Sequence, residues 1–213
     1  MKKLHLGCGQ RYLKSYTNID FPLSEHSVQT ESIADEHHDI SQLNYPSNSI
    51  NEVRLHHVFE HFERPIACAL VSSWNSWLIE GGILHIEVPD FERTAKAALS
   101  IFKNKHKKKV AIRHLFGSHE ASWAVHAEGY TEWMLEDILN CFGFTKIQVL
   151  KHEWRGTYNL EIIAEKTQGM YKEESIENAK QYLKGFLIDE SEQVMLDIWL
   201  EMFKIQTQRT WAT

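Results

Sequence analysis

The chain has 213 residues, 43% of them apolar and 24% charged, which is an ordinary globular composition with enough apolar residues for one sizeable core. Its net charge of −6 argues against broad nucleic-acid binding, which is driven by neutralising phosphates with Lys and Arg. Cys8, Cys68 and Cys141 are odd in number and lack C-x-x-C spacing, the N-terminus shows no signal-peptide core, and no apolar run approaches the ~18 residues of a membrane span. These features predict a cytoplasmic protein with no disulfide framework, no membrane span and no nucleic-acid partner.

In chain order, Leu4-His5-Leu6 reads as a short strand, Gly7-Cys8-Gly9 as a tight turn, and Tyr16-Thr17-Asn18-Ile19-Asp20 as a second strand closed by an acid. Glycine lets backbone turn sharply or approach a ligand closely. In an open α/β sheet such a turn lies at the carboxyl end of a strand, where these folds bind ligands. An acid ending the next strand is placed to accept hydrogen bonds from ribose hydroxyls, so the pair predicts an adenosine-containing ligand. The spacing differs from the dinucleotide fingerprint G-x-G-x-x-G with an acid about 20 residues on. Tyr12 stands at the third glycine position, and Asp20 comes too early for a full helix between the strands. S-adenosylmethionine, which carries no phosphate to be held at a helix N-terminus, suits that shortened turn.

Residues 21–36 are polar and read as loop, and His37-His38-Asp39-Ile40 as a third strand with a second acid. Pro46-Ser47-Asn48-Ser49 is turn chemistry. Residues 50–55 form a fourth strand with His56 and His57 at its carboxyl end. Pro65 suits the first turn of a helix running to about residue 79 and stopped by Gly81-Gly82. Residues 83–88 are a fifth strand closed by Pro89-Asp90, and 91–102 an amphipathic helix. The lysine-rich run 103–109 reads as a solvated helix end, with a patch for a phosphorylated or acidic substrate as the sharper reading. A short helix over 113–116, a loop over 117–129, and a helix capped by Thr131 and ending near Cys141 follow. Residues 144–150 and 158–164 read as the last strands, bridged through 152–156. Beyond Thr167 the sheet pattern gives way to two amphipathic helices, 173–186 and 191–205. The expected organisation is an α/β domain over 1–166, its mostly parallel sheet ending in a hairpin, with a C-terminal helical extension over 167–213.

From Lys2 to about Lys166 the chain resembles the class I S-adenosylmethionine-dependent methyltransferases, most nearly short bacterial members associated with surface-polysaccharide genes. The resemblance is carried by Leu4-His5-Leu6-Gly7-Cys8-Gly9, Asn18-Ile19-Asp20, Val58-Phe59-Glu60-His61, Leu78-Ile79-Glu80-Gly81-Gly82 and Val88-Pro89-Asp90-Phe91-Glu92. Leu115-Phe116-Gly117, His126, Gly129-Tyr130-Thr131 and Cys141-Phe142-Gly143-Phe144 continue it in the same order. It implies a Rossmann-like seven-stranded sheet with an antiparallel last strand and S-adenosyl-L-methionine as cofactor. Gly7, Cys8 and Gly9 would line the methionine part, Asp20 would hold the ribose, Asp39 and Ile40 would flank the adenine, and His56 would lie next to the methyl group. Two departures are the nearly absent first helix and Glu80, which replaces the Lys-Pro common before Gly81-Gly82.

His57-Val58-Phe59-Glu60-His61 places two imidazoles and a carboxylate at i, i+3 and i+4, which share one face if the segment starts a helix. H-x-x-E-H is the zinc signature of inverted metalloproteases, but those need it inside a long helix and not after a sheet strand. It is more similar to the E-x-x-E-H of methyltransferases that modify small-RNA ribose ends and ubiquinone precursors. That likeness implies a divalent metal holding the acceptor hydroxyls, with His57 in place of the first Glu, then Glu60 and His61, and His126 as a fourth ligand. An imidazole-rich set suits zinc or another transition metal. The alternative is that Glu60 and His61 are structural. His26, His37, His38, His106, His114 and His119 have no spacing that stands out, and Trp123 or Trp133, flanking His126, could stack on a sugar ring.

The expected activity is O-methylation of a hydroxyl of a sugar, nucleotide sugar or other small metabolite or glycan acceptor. His57 or His126 would take the proton or bind the metal, with Asp90 beside the acceptor. The competing reading is a non-catalytic scaffold that keeps the fold. The C-terminal helices would either pair two subunits as a homodimer or cover the acceptor pocket.

Overall fold

The computed structural model describes residues 1–25 and 31–211, so His26 lies outside the described residues. Its strands are β1 (Lys3–Leu6), β2 (Thr17–Asp20), β3 (Glu36–His37), β4 (Ile50–His56), β5 (Leu78–Pro89), β6 (Phe144–Trp154) and β7 (Thr157–Lys166). They form one sheet in the order β3-β2-β1-β4-β5-β7-β6, with β7 antiparallel to both neighbours and the rest parallel. The helices are α1 (Arg64–Trp77), α2 (Phe91–Leu99), α3 (Lys105–Phe116), α4 (Glu132–Cys141), α5 (Lys172–Lys184) and α6 (Gln193–Thr210). No helix among the described residues is long and apolar enough to cross a membrane.

Strand residues alternate between two faces, and the alternation divides this sheet by chemistry. Leu4, Leu6, Ile19, Val53, Leu55, Leu84, Ile86, Val88, Leu160 and Ile162 are fully buried in one cluster with Trp74 and Trp77 of α1, Leu135 of α4, Leu183 of α5 and Phe203 of α6. His5, Asn18, Arg54, His85 and Glu161 occupy the other set of positions and bond to one another. Arg54 Nε donates to His56 Nε2 at 2.9 Å, so the His56 proton sits on Nδ1. That proton reaches His5 Nε2 at 2.8 Å, and His5 Nδ1 in turn donates to Asn18 Oδ1 at 3.1 Å. The chain of donors runs one way across β4, β1 and β2, and it fixes His56 at the end of β4 as a neutral imidazole.

Four expectations are corrected here. Gly81-Gly82 does not stop α1, because Leu78 already has strand backbone and β5 runs through both glycines. The pair instead makes the irregularity that shifts register between Ile50 and Glu52, and a Cβ on Gly82 would lie 2.8 Å from the Ile79 carbonyl oxygen. The lysine run is not a helix end. Asn104 accepts from Lys107 N at 2.9 Å and starts α3, whose last turn is the expected short helix. β3 is only two residues long, and Asp39 follows it as the cap of a 3-10 turn, Ile40–Gln42. β6 extends to Trp154, leaving only Arg155-Gly156 between the last strands, both with positive φ as a tight primed hairpin turn requires.

Candidate functional site

The carboxyl ends of β1, β2 and β4 open on a cavity of about 460 Å³. Gly7, Cys8 and Gly9 form one wall, with Asp20, Ile40, His56, His57 and His61 around it. Gly7 has φ +66°, and a Cβ there would lie 2.4 Å from Val58 Cγ2, so the turn holds only with glycine. Asp20 accepts from Gly9 N at 2.7 Å through Oδ2 and from Phe21 N at 2.8 Å through Oδ1, which ties the acid to the glycine turn. Burial, reinforced by the charges of Asp20 and Asp35, pushes the Cys8 thiol up to about 12, so it is a neutral wall and not a nucleophile.

Asp39, Glu60, Asp90 and His126 are not among the cavity-lining residues. Asp39 accepts from both Ser41 N and Ser41 Oγ as a cap, while its neighbours His38 and Ile40 line the cavity. Asp90 caps α2 by accepting from Arg93 N at 2.9 Å, and its Oδ2 is buried without a hydrogen-bond partner among the described residues. Trp123 lines the cavity, whereas Trp133 is exposed on α4.

The expected helical H-x-x-E-H face does not form. His57 has φ +53°, and Phe59–His61 is a single 3-10 turn ahead of α1. The His57 ring stands between two carboxylates, Nδ1 at 3.3 Å from Glu60 Oε1 and Nε2 at 3.6 Å from Glu87 Oε1. Burial alone would lower its pKa, but the two carboxylates outweigh burial and raise it above the ordinary histidine range. Burial likewise pushes Glu60 up, yet the His57 bond and the charges of His57, His61 and His126 bring its net pKa below the usual value.

A second grouping excludes His57. Glu60, His61 and His126 each bring a donor atom within 4.8 Å of the others. The segment before α4 is stapled to the 3-10 turn, because Ala127 N and Glu128 N both donate to the Glu60 carbonyl, at 2.8 and 3.1 Å. His61 Nδ1 lies 3.1 Å from the Val125 carbonyl oxygen, and His126 Nδ1 lies 3.2 Å from that of Leu115. A carbonyl only accepts, so both rings donate from Nδ1, and in its neutral form each keeps its lone pair on Nε2. Glu60 Oε2 is fully buried with no hydrogen-bond partner among the described residues. Two backbone-anchored imidazoles beside a carboxylate with an orphaned oxygen fit a divalent metal.

The sequence reading missed Arg11, Phe21, His38, Val58 and Phe62 as cavity residues. Arg11 reaches the site from the position where a first helix would otherwise begin, and its guanidinium lies 3.4 Å from Glu87 Oε2. Its signal was a lone cation two residues after G-x-G. His114 on α3 was also passed over, although its ring lies 5.8 Å from that of His57.

No family model matches the chain, and no curated protein matches it. Solved structures do. A methyltransferase from Methanosarcina mazei described as S-adenosylmethionine-dependent is 17% identical, with 78% of this chain and 92% of that one covered at a TM-score of 0.50. A second of that description, from Archaeoglobus fulgidus, is 14% identical, with 78% and 86% covered at 0.53. The 1,6-didemethyltoxoflavin-N1-methyltransferase of Burkholderia thailandensis, solved with 1,6-didemethyltoxoflavin and S-adenosylhomocysteine, is 16% identical, with 78% and 71% covered at 0.53. At these identities the likeness is one of fold, and the fold is the Rossmann-like one of the class I methyltransferases.

Proposed function

We propose that the chain is an S-adenosylmethionine-dependent methyltransferase that acts on a hydroxyl of a sugar, nucleotide sugar or other small metabolite. The observation that carries this reading is the cavity itself, where the Gly7-Cys8-Gly9 turn, Asp20 and His56 converge at the carboxyl ends of three strands. The cofactor supplies an already activated methyl group on a sulfonium, so this chain's task is alignment. Asp20 and the backbone of Gly9 hold the ribose side, Ile40 and His38 flank the base, and Arg11 pairs the amino-acid carboxylate. Phe62 and Trp123 also line the cavity, and the acceptor is assigned to their side. His57 orients the acceptor from between Glu60 and Glu87.

A hydroxyl acceptor has to lose its proton. His61, which lines the cavity, and His126, whose ring centroid lies 4.8 Å from it, each offer an Nε2 lone pair for that purpose. The orphaned Glu60 Oε2 supports a second reading in which Glu60, His61 and His126 hold a divalent metal. Such an ion would bind the acceptor oxygen and lower its pKa.

Thermal unfolding with S-adenosylmethionine tests the cofactor reading. At 100 times its Kd a ligand stabilises by about 2.7 kcal/mol, a rise of roughly 5–10 °C for a chain of this size, and Asp20→Ala should abolish it. No shift in the wild type would favour the scaffold reading. Elemental analysis of untagged protein tests the metal, with one equivalent expected in the wild type and none in Glu60→Gln. A metal-free wild type whose methyl transfer is indifferent to chelator leaves the histidines as the base. Val194, Ile198 and Ile205 are exposed along α6, an apolar stripe suited to pairing two copies, and a monomer mass by light scattering would sink that pairing.

A further inference from the structure

The lysine run and the turn before it serve no purpose in the cavity. Between Glu92 and Glu120 the chain carries eight basic residues and no acidic one, although its net charge is −6. The end of α2 and the turn that joins it to α3 expose three bulky apolar side chains almost completely: Leu99 is 81% exposed, Ile101 84% and Phe102 93%. Lys103 folds back to donate to Tyr158 Oη at 2.9 Å, but Lys105, Lys107, Lys108 and Lys109 form no ion pair among the described residues. On α3, Lys105, Lys109, Ile112 and Phe116 are all exposed at i, i+4, i+7 and i+11, so cations and apolar groups share one face.

We propose that the α2–α3 hairpin docks the protein on an anionic lipid bilayer, inserting Leu99, Ile101 and Phe102 among the acyl chains while the lysines of α3 neutralise headgroup phosphates. Each half of the surface needs the other. Apolar side chains this exposed are costly in water and gain by entering the headgroup boundary. Lysines near an anionic leaflet each strengthen binding by about fivefold, and the surface here has several with no internal partner. A nucleic acid would use the cations but offers nothing to the aliphatic Leu99 and Ile101. An acidic protein segment gives no reason for three apolar side chains on a convex turn. One root of the hairpin lies at the site, because His114 near the end of α3 contacts His57, which lines the cavity. Docking would therefore hold the cavity at the bilayer surface, and it is independent of what the cavity binds.

The test is co-sedimentation of the full chain with phosphatidylcholine vesicles, with and without phosphatidylglycerol. The expected result is binding to the anionic vesicles alone, weakening as salt is raised. Replacing Lys105, Lys107 and Lys109 together by Gln should cost on the order of 100-fold in affinity. Ile101→Ser with Phe102→Ser should cost at least about tenfold with every charge kept, and both variants should melt with the wild type because the residues are exposed. Failure to sediment with anionic vesicles, or equal binding to neutral ones, overturns the proposal. So does indifference to the serine substitutions together with full competition by polyphosphate, which would make the surface a site for acidic polymers.

Discussion

His5 and His56 are buried at the centre of the polar sheet face, and their environment sets how stability responds to pH. Burial is the main force lowering both pKa values, and the cations of Arg11 and Arg54 oppose a further charge on either ring. A histidine neutral in the folded state and of ordinary pKa near 6.5 when unfolded contributes full stability above that value and loses it as pH falls, because the unfolded chain then binds more protons. His56, lowered to about 2, should therefore cost about 1.4 kcal/mol by pH 5.5, and His5 shifts stability in the same direction. Urea unfolding at pH 7.5 and 5.5 reads this directly, with His5→Gln expected to flatten the dependence. An unchanged pH dependence in that variant would refute the account. Arg11 poses a different question, since its side chain is half exposed and holds up no core. Arg11→Ala should leave the melting temperature in place yet weaken S-adenosylmethionine binding by about tenfold or more, read by calorimetry, because a charge-assisted contact of ~1.5–3 kcal/mol is lost. That Gly7, Gly9 and Asp20 line one cavity was legible from the sequence because turn glycines and strand-end acids act locally, whereas His56 came from the family resemblance. Arg11 and His38 were not, because only the path of the chain between strands brings them to the cavity.

The elements were legible where period and caps agreed, as in α1, α4 and the alternating strands, and were misjudged where a polar surface hid the pattern. The sequence pattern ends β6 at residue 150 because the exposed His152-Glu153-Trp154 break its alternation, yet they pair in register with Thr157-Tyr158-Asn159. The H-x-x-E-H segment was given a helical face that its backbone does not have, because His57 takes positive φ to turn out of β4. That turn has its own requirement, the packing of Val58 against the β1 turn. Gly7→Ala would strain a backbone at φ +66° and drive a methyl into Val58 Cγ2 at 2.4 Å, costing several kcal/mol. Val58→Ala alone should cost about 1–2 kcal/mol. If the clash is the main cause, the double variant should melt above Gly7→Ala alone. A double variant that melts lower still would place the cost in the backbone dihedral.

At the scale of the molecule, the C-terminal helices share the apolar core and reach back to the site. Trp77 Nε1 donates to the Thr210 carbonyl at 2.7 Å, the hydroxyls of Ser73 and Thr210 bond at 2.7 Å, and Phe203 stacks on Phe142. Gln206 Nε2 donates to the Ser41 carbonyl at 2.6 Å, within the 3-10 turn whose Ile40 lines the cavity. Arg64 pairs with Glu128 at 2.7 Å while its guanidinium lies 3.8 Å from the Phe186 ring centroid, so the tail also steadies the segment that carries His126. A chain ending at Lys166 would bare Trp74, Trp77 and Phe142 and leave the Trp77 indole without its acceptor. It should therefore be recovered aggregated and not as a folded core domain. Phe203→Ala checks the same coupling without deleting chain: removing a fully buried phenylalanine should cost about 3–5 kcal/mol. A soluble, cooperatively melting chain ending at Lys166 that still binds S-adenosylmethionine would show instead that 167–213 is an appendage. The cavity would then owe its shape to the sheet alone.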